Sequence, residues 1–337
     1  MMKLLQSLFL CLFLIIGCTK KAPEITFIQG EVFGSYYVVK YVGDLDRDLL
    51  KKELSDFFKD FNSAFSTYQE DSVVSVFNKA PANQRLTVSV EFIELLKIAR
   101  TLHQQTAGAF DPTLSPVIKV WGFGGGAEKK VPSAIDLKNA MEKVNFNYVQ
   151  WDEREVTVWK TKDGVQLDLN AFAPGFAADL IGEILKKHKI INFMVDISGE
   201  FVVRGEKSPG QKWVIGIEKP SMNYGEAIQQ VLSLNDQSVA TSGNYRQFFN
   251  ANGEKMSHIL DPRTGHPVDT SIASATVIAP TGALADGWGT AMMVLGEKGI
   301  PLAQKSGVKV FLLKGIEKDK YDEIMTDDFK AHLLQAK

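Results

Sequence analysis

The sequence predicts a fold of the α+β class. The chain has 337 residues, 45% of them hydrophobic and 23% charged, which suffices for one large core or two interlocked lobes. Segments with strand-like alternation and segments with helical periodicity both occur along the chain. No internal repeat, low-complexity tract or break in composition marks a boundary, so we treat residues 24–337 as one domain.

The first half of the chain predicts a pair of strands followed by helices. Residues 25–28 and 36–42 alternate as two strands around Gly34. Residues 46–65 are predicted to form an amphipathic helix, and a second helix runs from a cap at Ser89 to about residue 105 and stops at Gly108. The apolar residues that recur at helical spacing in the first helix are Leu50, Leu54, Phe57, Phe58, Phe61 and Phe65.

The remaining elements alternate between strands and single helices. A capped helix at 133–143 leads to a hairpin of residues 148–151 and 156–159. Strand, loop and then a helix at 175–188 form a geometry that can present backbone amides to an anionic ligand. Further strands are predicted at 191–197, 201–203, 213–217, 228–234 and 274–278, with a last helix and strand near 300–313.

The first 17 residues are typical of a bacterial lipoprotein signal. The apolar run at 4–16 is too short for a comfortable membrane span and ends in Gly17 and Cys18. The Ile-Ile-Gly-Cys string resembles a lipoprotein cleavage box, so we expect Cys18 to be the lipidated first residue and 18–23 to be a tether. The alternative is an uncleaved signal anchor, which the polar residues directly after Cys18 disfavour.

Charge and cysteine content argue against a nucleic-acid-binding protein and against a disulfide-stabilised one. Cleavage would leave 37 basic and 40 acidic residues, a net charge of −3, with no basic tract suited to a phosphate backbone. Nucleic acid is therefore not an expected partner. Cleavage would also remove Cys11, so the mature chain could form no internal disulfide and must depend on its core.

His258 is the candidate catalytic base. It lies in the stretch Ser-His-Ile-Leu-Asp-Pro-Arg-Thr-Gly at 257–265, at the end of an apolar strand and just before a tight Asp-Pro-x-x-Gly turn. That position holds an imidazole on a rigid element beside a loop. A structural histidine with satisfied hydrogen bonds is the alternative for this motif alone.

Asp286 and Thr290 are candidate metal ligands. They are four residues apart in a segment that is predicted to be helical, so both side-chain oxygens project from one face. Hard oxygen ligands of this kind suit magnesium or calcium. The alternative is that the two side chains are only solvated or cap the helix.

A glycine-rich stretch separates the predicted helices at 89–105 and 133–143. Trp121 and Phe123 stand beside Gly124–Gly126, and aromatic residues are poor choices for a solvated linker. We therefore expect a loop that packs against a ligand. The glycines lack the spacing of a P-loop or of a dinucleotide-binding turn, so neither is predicted.

Eight short motifs follow one another in a fixed order over nearly all of the mature chain. They are Phe-Gly-Ser-Tyr at 33–36, Gly-Ala-Phe-Asp-Pro-Thr at 108–113, Trp-Gly-Phe-Gly at 121–124, Leu-Asp-Leu at 167–169, Asp-Ile-Ser-Gly-Glu at 196–200, Ala-Thr-Ser-Gly-Asn-Tyr at 240–245, Ser-His-Ile-Leu-Asp-Pro at 257–262, and Ala-Asp at 285–286 with Thr290. Together they resemble the ApbE family, the bacterial FAD:protein FMN transferases, many of which are lipoproteins.

The resemblance implies an ApbE-like α+β fold of two interlocked α/β lobes with mixed sheets and an FAD cleft between the lobes. It implies a magnesium ion held by Asp286, Thr290 and an oxygen from the 168–173 loop, for which Ala171 is the expected donor. His258 would take the proton from an acceptor threonine hydroxyl, which then attacks the FMN phosphorus while AMP leaves. The residues expected to line the FAD cleft are Phe33, Ala109, Phe110, Asp111, Asp168 and Leu260.

The chemistry of these residue types agrees with that assignment. A hard cation neutralises pyrophosphate charge and polarises phosphorus for in-line attack, and a weakly acidic hydroxyl needs a nearby base at neutral pH. One position departs from the pattern: Pro174 stands where the family commonly has Lys or Glu before glycine. We count Pro174 among the FAD-binding positions, and because proline offers neither charge nor amide donor, we expect weaker FAD binding or an altered acceptor side.

Three functions fit the sequence. The first is magnesium-dependent FMN transfer to threonine or serine of redox subunits of the Nqr or Rnf type, at the periplasmic face of the bacterial cell membrane. The second is a magnesium-dependent FAD pyrophosphatase giving FMN and AMP, with water as nucleophile. The third is a flavin-binding lipoprotein without turnover, which the presence of His258, Asp286 and Thr290 disfavours.

Overall fold

The computed structural model describes residues 24–123, 129–220, 227–244, 248–251, 254–268, 271–317 and 320–334. Within these ranges helices and sheets alternate, and the α+β class is confirmed. The predicted signal, Cys18, the tether and Gly124–Gly126 lie outside the described residues. Among the described helices, none combines the length and apolar character that a membrane span needs.

The secondary structure comprises these elements in chain order. The strands are β1 (Ile25–Val32), β2 (Ser35–Val42), β3 (Leu86–Thr87), β4 (Val149–Asp152), β5 (Thr157–Lys160), β6 (Asn192–Ile197), β7 (Glu200–Arg204), β8 (Trp213–Glu218), β9 (Ile228–Leu234), β10 (Gln237–Gly243), β11 (Phe248–Ala251), β12 (Glu254–Ser257), β13 (Ile272–Ala279), β14 (Lys309–Glu317) and β15 (Lys320–Met325). The helices are α1 (Arg47–Phe65), α2 (Val73–Lys79), α3 (Val90–Gln105), α4 (Ser115–Val120), α5 (Ala134–Met141), α6 (Ala173–Lys187), α7 (Gly282–Leu295), α8 (Ile300–Lys305) and α9 (Asp327–Lys330), with 3₁₀ helices at Phe146–Tyr148 and Gly296–Gly299.

The central sheet has eight strands in the order β1-β2-β6-β7-β10-β13-β14-β15. Every strand pairing in the described residues is antiparallel. The expectation of mixed sheets is therefore wrong for these residues. Short turns account for three of these pairs, β1–β2, β6–β7 and β14–β15, because a parallel neighbour would need a long crossover connection.

Alternation along the strands gives the sheet two buried faces. Phe193 and Val195 of β6 belong to the large core with α6 and α7, whereas Met194 between them packs with the β8–β9 hairpin and α9. The same alternation continues in β14, where Val310 faces the large core and Phe311 the opposite side. The molecule is thus layered as helices, sheet and hairpin.

Helix α1 forms where the sequence predicts an amphipathic helix. The Asp46 carboxylate accepts a hydrogen bond from the Leu49 amide at 2.8 Å and caps the first turn. Phe61 and Phe65 on its buried face lie with ring centroids 4.5 Å apart, and Phe65 stacks on Phe92 of α3 at 5.4 Å. The prediction that its phenylalanines form core is confirmed for Phe58, Phe61 and Phe65, while Phe57 is only half-buried.

Helices α6 and α7 approach each other at two glycines. A Cβ atom on Gly175 would lie 2.3 Å from the carbonyl oxygen of Gly282, so any side chain there would collide. Asp179 of α6 accepts hydrogen bonds from the amides of Gly282 at 2.7 Å and Ala283 at 2.9 Å and thereby caps α7. These contacts place Asp286 of α7 against the first turn of α6.

The expectation of one loop packed on a ligand at 106–126 is wrong in part. Residues Ser115–Val120 form helix α4. Its first turn accommodates Pro116, because backbone amides there have no partner within the helix. The Trp121 ring is 2% exposed and its indole Nε1 donates to the Gly265 carbonyl at 2.8 Å, so it packs on protein. Other elements that the sequence did not predict are α2, β3, β10, β11, β15 and α9.

Candidate active site

One cavity of about 460 Å³ brings together most of the residues predicted for the site. It lies between the loop after α3, the loop before α6, the turn after β12 and the face of α7 that carries Asp286 and Thr290. The predicted residues that line it are Ala109, Phe110, Asp111, Asp168, Ala171, His258, Leu260, Asp286 and Thr290. The family resemblance implied this convergence, which local sequence patterns alone could not show because these segments are far apart along the chain.

Phe33 and Pro174 line a second cavity of about 270 Å³ instead. Asn170 borders both cavities, so the two are neighbours. The second cavity is aromatic, with Phe61, Phe65 and the exposed Tyr68 in its wall. The Phe33 ring lies 5.4 Å from that of Phe61.

Asp286 is the most unusual carboxylate of the main cavity. It is only 6% exposed, and its Oδ2 accepts a hydrogen bond from the Gly175 amide at 3.1 Å. Burial outweighs this hydrogen bond and raises the pKa of Asp286 to about 8. Burial also raises the pKa of neighbouring Glu200, and the negative charges of Asp286 and Asp196 add to that shift.

Thr290 lies one helical turn beyond Asp286 and donates from its Oγ1 to the carbonyl oxygen of Ala171 at 3.3 Å. One carboxylate, one hydroxyl and one backbone carbonyl make an all-oxygen donor set, of the type that magnesium prefers. The part of the chain that the structure describes contains no group of three His, Cys, Asp or Glu side chains suited to a metal. Three oxygen donors leave further positions around such a cation for phosphate oxygens and water.

His258 directly follows β12, where the predicted strand ends. Two hydrogen bonds hold the backbone of Ile259, the next residue. Its amide donates to Ser257 Oγ at 3.1 Å, and its carbonyl accepts from the Val268 amide at 3.0 Å. The predicted Asp-Pro-x-x-Gly turn is confirmed, since the Gly265 amide donates to the Asp261 carbonyl at 2.7 Å. The imidazole thus stands on a braced segment at the cavity wall.

Asp111 lines the cavity, but its carboxylate is committed to the protein. Oδ1 accepts from the amide of Thr113 at 2.8 Å and from its hydroxyl at 2.5 Å, and Oδ2 accepts from the Phe146 amide at 3.1 Å. His103 Nδ1 lies 3.5 Å from the same oxygen. Asp111 therefore shapes the loop that carries Ala109 and Phe110.

Asp168 belongs to a loop that is tied to the loop of Asp111. Its backbone amide donates to the Pro112 carbonyl at 2.7 Å, and its Oδ1 accepts from the Asn170 amide at 3.0 Å. Burial raises the pKa of the Asp168 carboxyl. An oxygen of this carboxyl can accept a hydrogen bond from a polar group of a ligand.

The lining residues that the sequence reasoning missed include three polar side chains, those of Asn170, Ser242 and Tyr68. Ser242 lies in the quoted Ala-Thr-Ser-Gly-Asn-Tyr motif, which was a usable signal. Asn170 follows Gln166 and Asp168 at a spacing of two, which predicts one common face. Tyr68 is 81% exposed and carries no signal in the sequence beyond its type.

This fold and site define a class: an α+β protein whose central cavity combines a histidine with a buried carboxylate and neutral oxygen donors. The ApbE family profile matches residues 33–312. The chain belongs to the ApbE family.

Relatives and solved structures agree with this membership. The chain is 35% identical over 306 residues to the FAD:protein FMN transferase of Haemophilus influenzae, covering 88% of each chain, and 32% identical over 327 residues to that of Vibrio cholerae, covering 96% of each. The apo structure of the Pseudomonas stutzeri flavinyl transferase ApbE superimposes with a TM-score of 0.84 at 32% identity, over 93% of this chain and 98% of that one. The flavin transferase ApbE of Vibrio cholerae gives 0.81 at 30% identity, over 93% and 100%.

Proposed function

We propose that this protein is a magnesium-dependent FAD:protein FMN transferase. It moves FMN from FAD to a threonine or serine hydroxyl of a target redox protein and releases AMP. The observation that carries the proposal is the convergence of His258, Asp286 and Thr290 on one cavity. Family membership supports the flavin chemistry, since the relatives bear that activity in their names.

The two neighbouring cavities suit the two ends of FAD. FAD carries aromatic ring systems joined by a charged pyrophosphate, and the aromatic wall of the second cavity suits a ring. The oxygen donors of Asp286, Thr290 and Ala171 suit the cation that accompanies a pyrophosphate. Pro174 lines the aromatic cavity, so we propose that its missing side-chain charge affects FAD binding there.

In the proposed reaction the hydroxyl oxygen of the acceptor forms a bond to the FMN phosphorus. The bond from that phosphorus to the bridging oxygen breaks, and AMP leaves with the electron pair. His258 takes the hydroxyl proton. Magnesium, when bound to Asp286, Thr290 and Ala171, supplies neutralisation of the phosphate charge.

The proposed setting is the periplasmic face of the bacterial cell membrane. The lipoprotein signal before Cys18 supports it, because the mature chain would keep a lipid anchor. Redox subunits of the Nqr or Rnf type are the proposed acceptors. The proposed anchor is the lipid on Cys18.

The test is an incubation of the protein with FAD, magnesium and a peptide that bears the acceptor threonine. A peptide that gains the mass and fluorescence of FMN, together with free AMP, supports transfer. Free FMN and AMP with unmodified peptide identify a pyrophosphatase. FAD binding without any product identifies a flavin-binding protein and overturns both enzymatic activities.

A further inference from the structure

The segment at 165–170 is built like a strand but has no strand beside it. Val165, Leu167 and Leu169 are buried in the large core, while Asp168 and Asn170 face the main cavity. This spacing of two is that of an extended strand with one buried face. Yet the segment belongs to none of the described sheets. Its backbone groups must therefore find other partners.

Asn78, near the end of α2, takes the place of a neighbouring strand. Its Oδ1 accepts a hydrogen bond from the Leu167 amide at 2.7 Å, and its Nδ2 donates to the Leu167 carbonyl at 2.9 Å. A carboxamide offers a donor and an acceptor side by side, as a peptide group does. One side chain thus satisfies both backbone groups of the residue directly before Asp168.

Lys160 also holds the extended segment at 165–170 against α2. The residue is 1% exposed, and its ammonium donates to the Asn78 carbonyl at 3.0 Å and to the Val165 carbonyl at 2.8 Å. It therefore joins α2 to the beginning of the extended segment. Burying an ammonium is costly unless its donors are satisfied, so these two carbonyls and the segment hold each other in place.

We infer that Asn78 is a positioning residue for the reaction, holding Asp168 and Ala171 at the cavity through the backbone of Leu167, with Lys160 as its support. Neither side chain lines the main cavity, although Asn78 lines a neighbouring cavity of about 430 Å³ with Asp168 and Asn170. Their hydrogen bonds to the backbone of Leu167 and Val165 are the contacts through which both side chains hold the loop. The kinetic part of this inference rests on the proposed function. A displacement of about 1 Å in a site can cost on the order of 10²-fold in rate.

Two substitutions separate the two hydrogen bonds. Asn78→Asp keeps the size and the acceptor for the Leu167 amide but loses the donor to its carbonyl. Asn78→Ala loses both. We expect KM for FAD to rise about tenfold in Asn78→Asp, and kcat/KM to fall on the order of 10²-fold in Asn78→Ala. Lys160→Met, which removes the ammonium at similar length, is expected to act in the same direction.

The matched control is Thr326→Ala. The Thr326 hydroxyl accepts a buried hydrogen bond from the Val310 amide at 3.2 Å but lines neither cavity. Its removal lowers the melting temperature without moving the loop, so KM for FAD should equal that of the wild type. A positioning role raises KM in the folded enzyme, whereas mere loss of stability lowers only the fraction of active enzyme.

Two readouts do not depend on turnover. Fluorescence titration of the full chain with FAD should show weaker binding in the Asn78 variants, and hydrogen exchange at 165–170 should be faster in Asn78→Ala and unchanged in Thr326→Ala. The inference would be overturned if folded Asn78→Asp had the same KM for FAD, the same FAD affinity and the same hydrogen exchange at 165–170 as the wild type. If the wild type itself transfers no FMN, the proposed function fails, and FAD affinity and exchange still decide the role of Asn78.

Discussion

At the scale of single residues, Asp286 combines a proposed role as metal ligand with a buried environment. It is 6% exposed, so the fold tolerates its charge only at a cost. We expect Asp286→Asn to abolish practical turnover, because removing the charge loses several kcal/mol of transition-state stabilisation by the metal. The melting temperature should hold or rise, since an amide oxygen can still accept from Gly175. FMN transfer and thermal melting, with magnesium and with a chelator, measure both effects.

Two experimental results would contradict the metal assignment. Undiminished transfer by Asp286→Asn, or by the wild type in chelator, would show that no metal acts at this carboxylate. Thr290→Val is a matched variant, because it removes only the neutral oxygen that lies 3.3 Å from the Ala171 carbonyl. We expect it to raise the magnesium concentration at half-saturation.

His258 is predicted to act in proton transfer and to contribute little to FAD binding. General-base catalysis is typically worth roughly 10² to 10⁴ in rate. His258→Ala should lose about that much turnover, while FAD affinity barely changes. Single-turnover transfer and FAD titration separate the two quantities. Equal losses in rate and in affinity would identify a structural histidine instead.

At the scale of elements, the contact between α6 and α7 decides where Asp286 lies. A Cβ on Gly175 would be 2.3 Å from the Gly282 carbonyl and 2.9 Å from the Asp286 side chain. Gly175→Ala should therefore push the helices apart, cost about 1–3 kcal/mol of stability and reduce turnover. Gly315→Ala is the control, because its new Cβ would meet only the Ser271 carbonyl at an ordinary 3.5 Å. Comparable melting and activity for both variants would refute the close contact.

At the scale of the whole molecule, buried carboxyls make stability depend on pH. Burial raises the pKa of Asp196 and of Asp179 to about 6, above the ordinary value of 3.8. Both groups bind protons more tightly in the folded state, so their contribution is fully present below about pH 4 and is lost as pH rises through 6. The metal-free protein should accordingly lose stability over that window.

Asp196→Asn tests this dependence. Its Oδ1 accepts from the Gly199 amide at 2.9 Å, a bond that an amide oxygen can keep. The substitution should flatten the stability profile between pH 4 and 6 by on the order of 2–3 kcal/mol, the free energy of a shift of about two pKa units. Denaturant unfolding at a series of pH values measures it. An unchanged slope would mean that this carboxyl is ionised throughout.

The attachment of the whole molecule is a separate prediction. A single acyl chain gives marginal membrane affinity, on the order of 10⁴ M⁻¹, whereas several chains on Cys18 would make attachment effectively permanent. Cys18→Ser should leave uncleaved or soluble protein, and cell fractionation with mass analysis of the mature N-terminus measures it. Wild-type protein found only in the soluble fraction would contradict the lipoprotein assignment.

Local patterns in the sequence predicted most of the helices and strands. The phenylalanine spacing of α1, the serine cap of α3 and the Asp-Pro-x-x-Gly turn depend on residues a few positions apart, so they can be read directly. The short elements α2 and α4 were missed, because their sequences have too few turns for a period and are held by tertiary packing. The eight motifs also determined the family and the chemical groups of the site.

What only the tertiary structure decided is how those groups meet. Asp286 receives its hydrogen bond from Gly175 across 111 residues, and Asn78 holds Leu167 across 89. No periodicity encodes such pairs, because they arise when helices and loops pack in three dimensions. The same packing separated Phe33 and Pro174 from the main cavity and turned the Asp111 carboxylate toward its own loop. Sequence fixes which side chains are available, and burial and long-range contacts decide which of them reach a ligand.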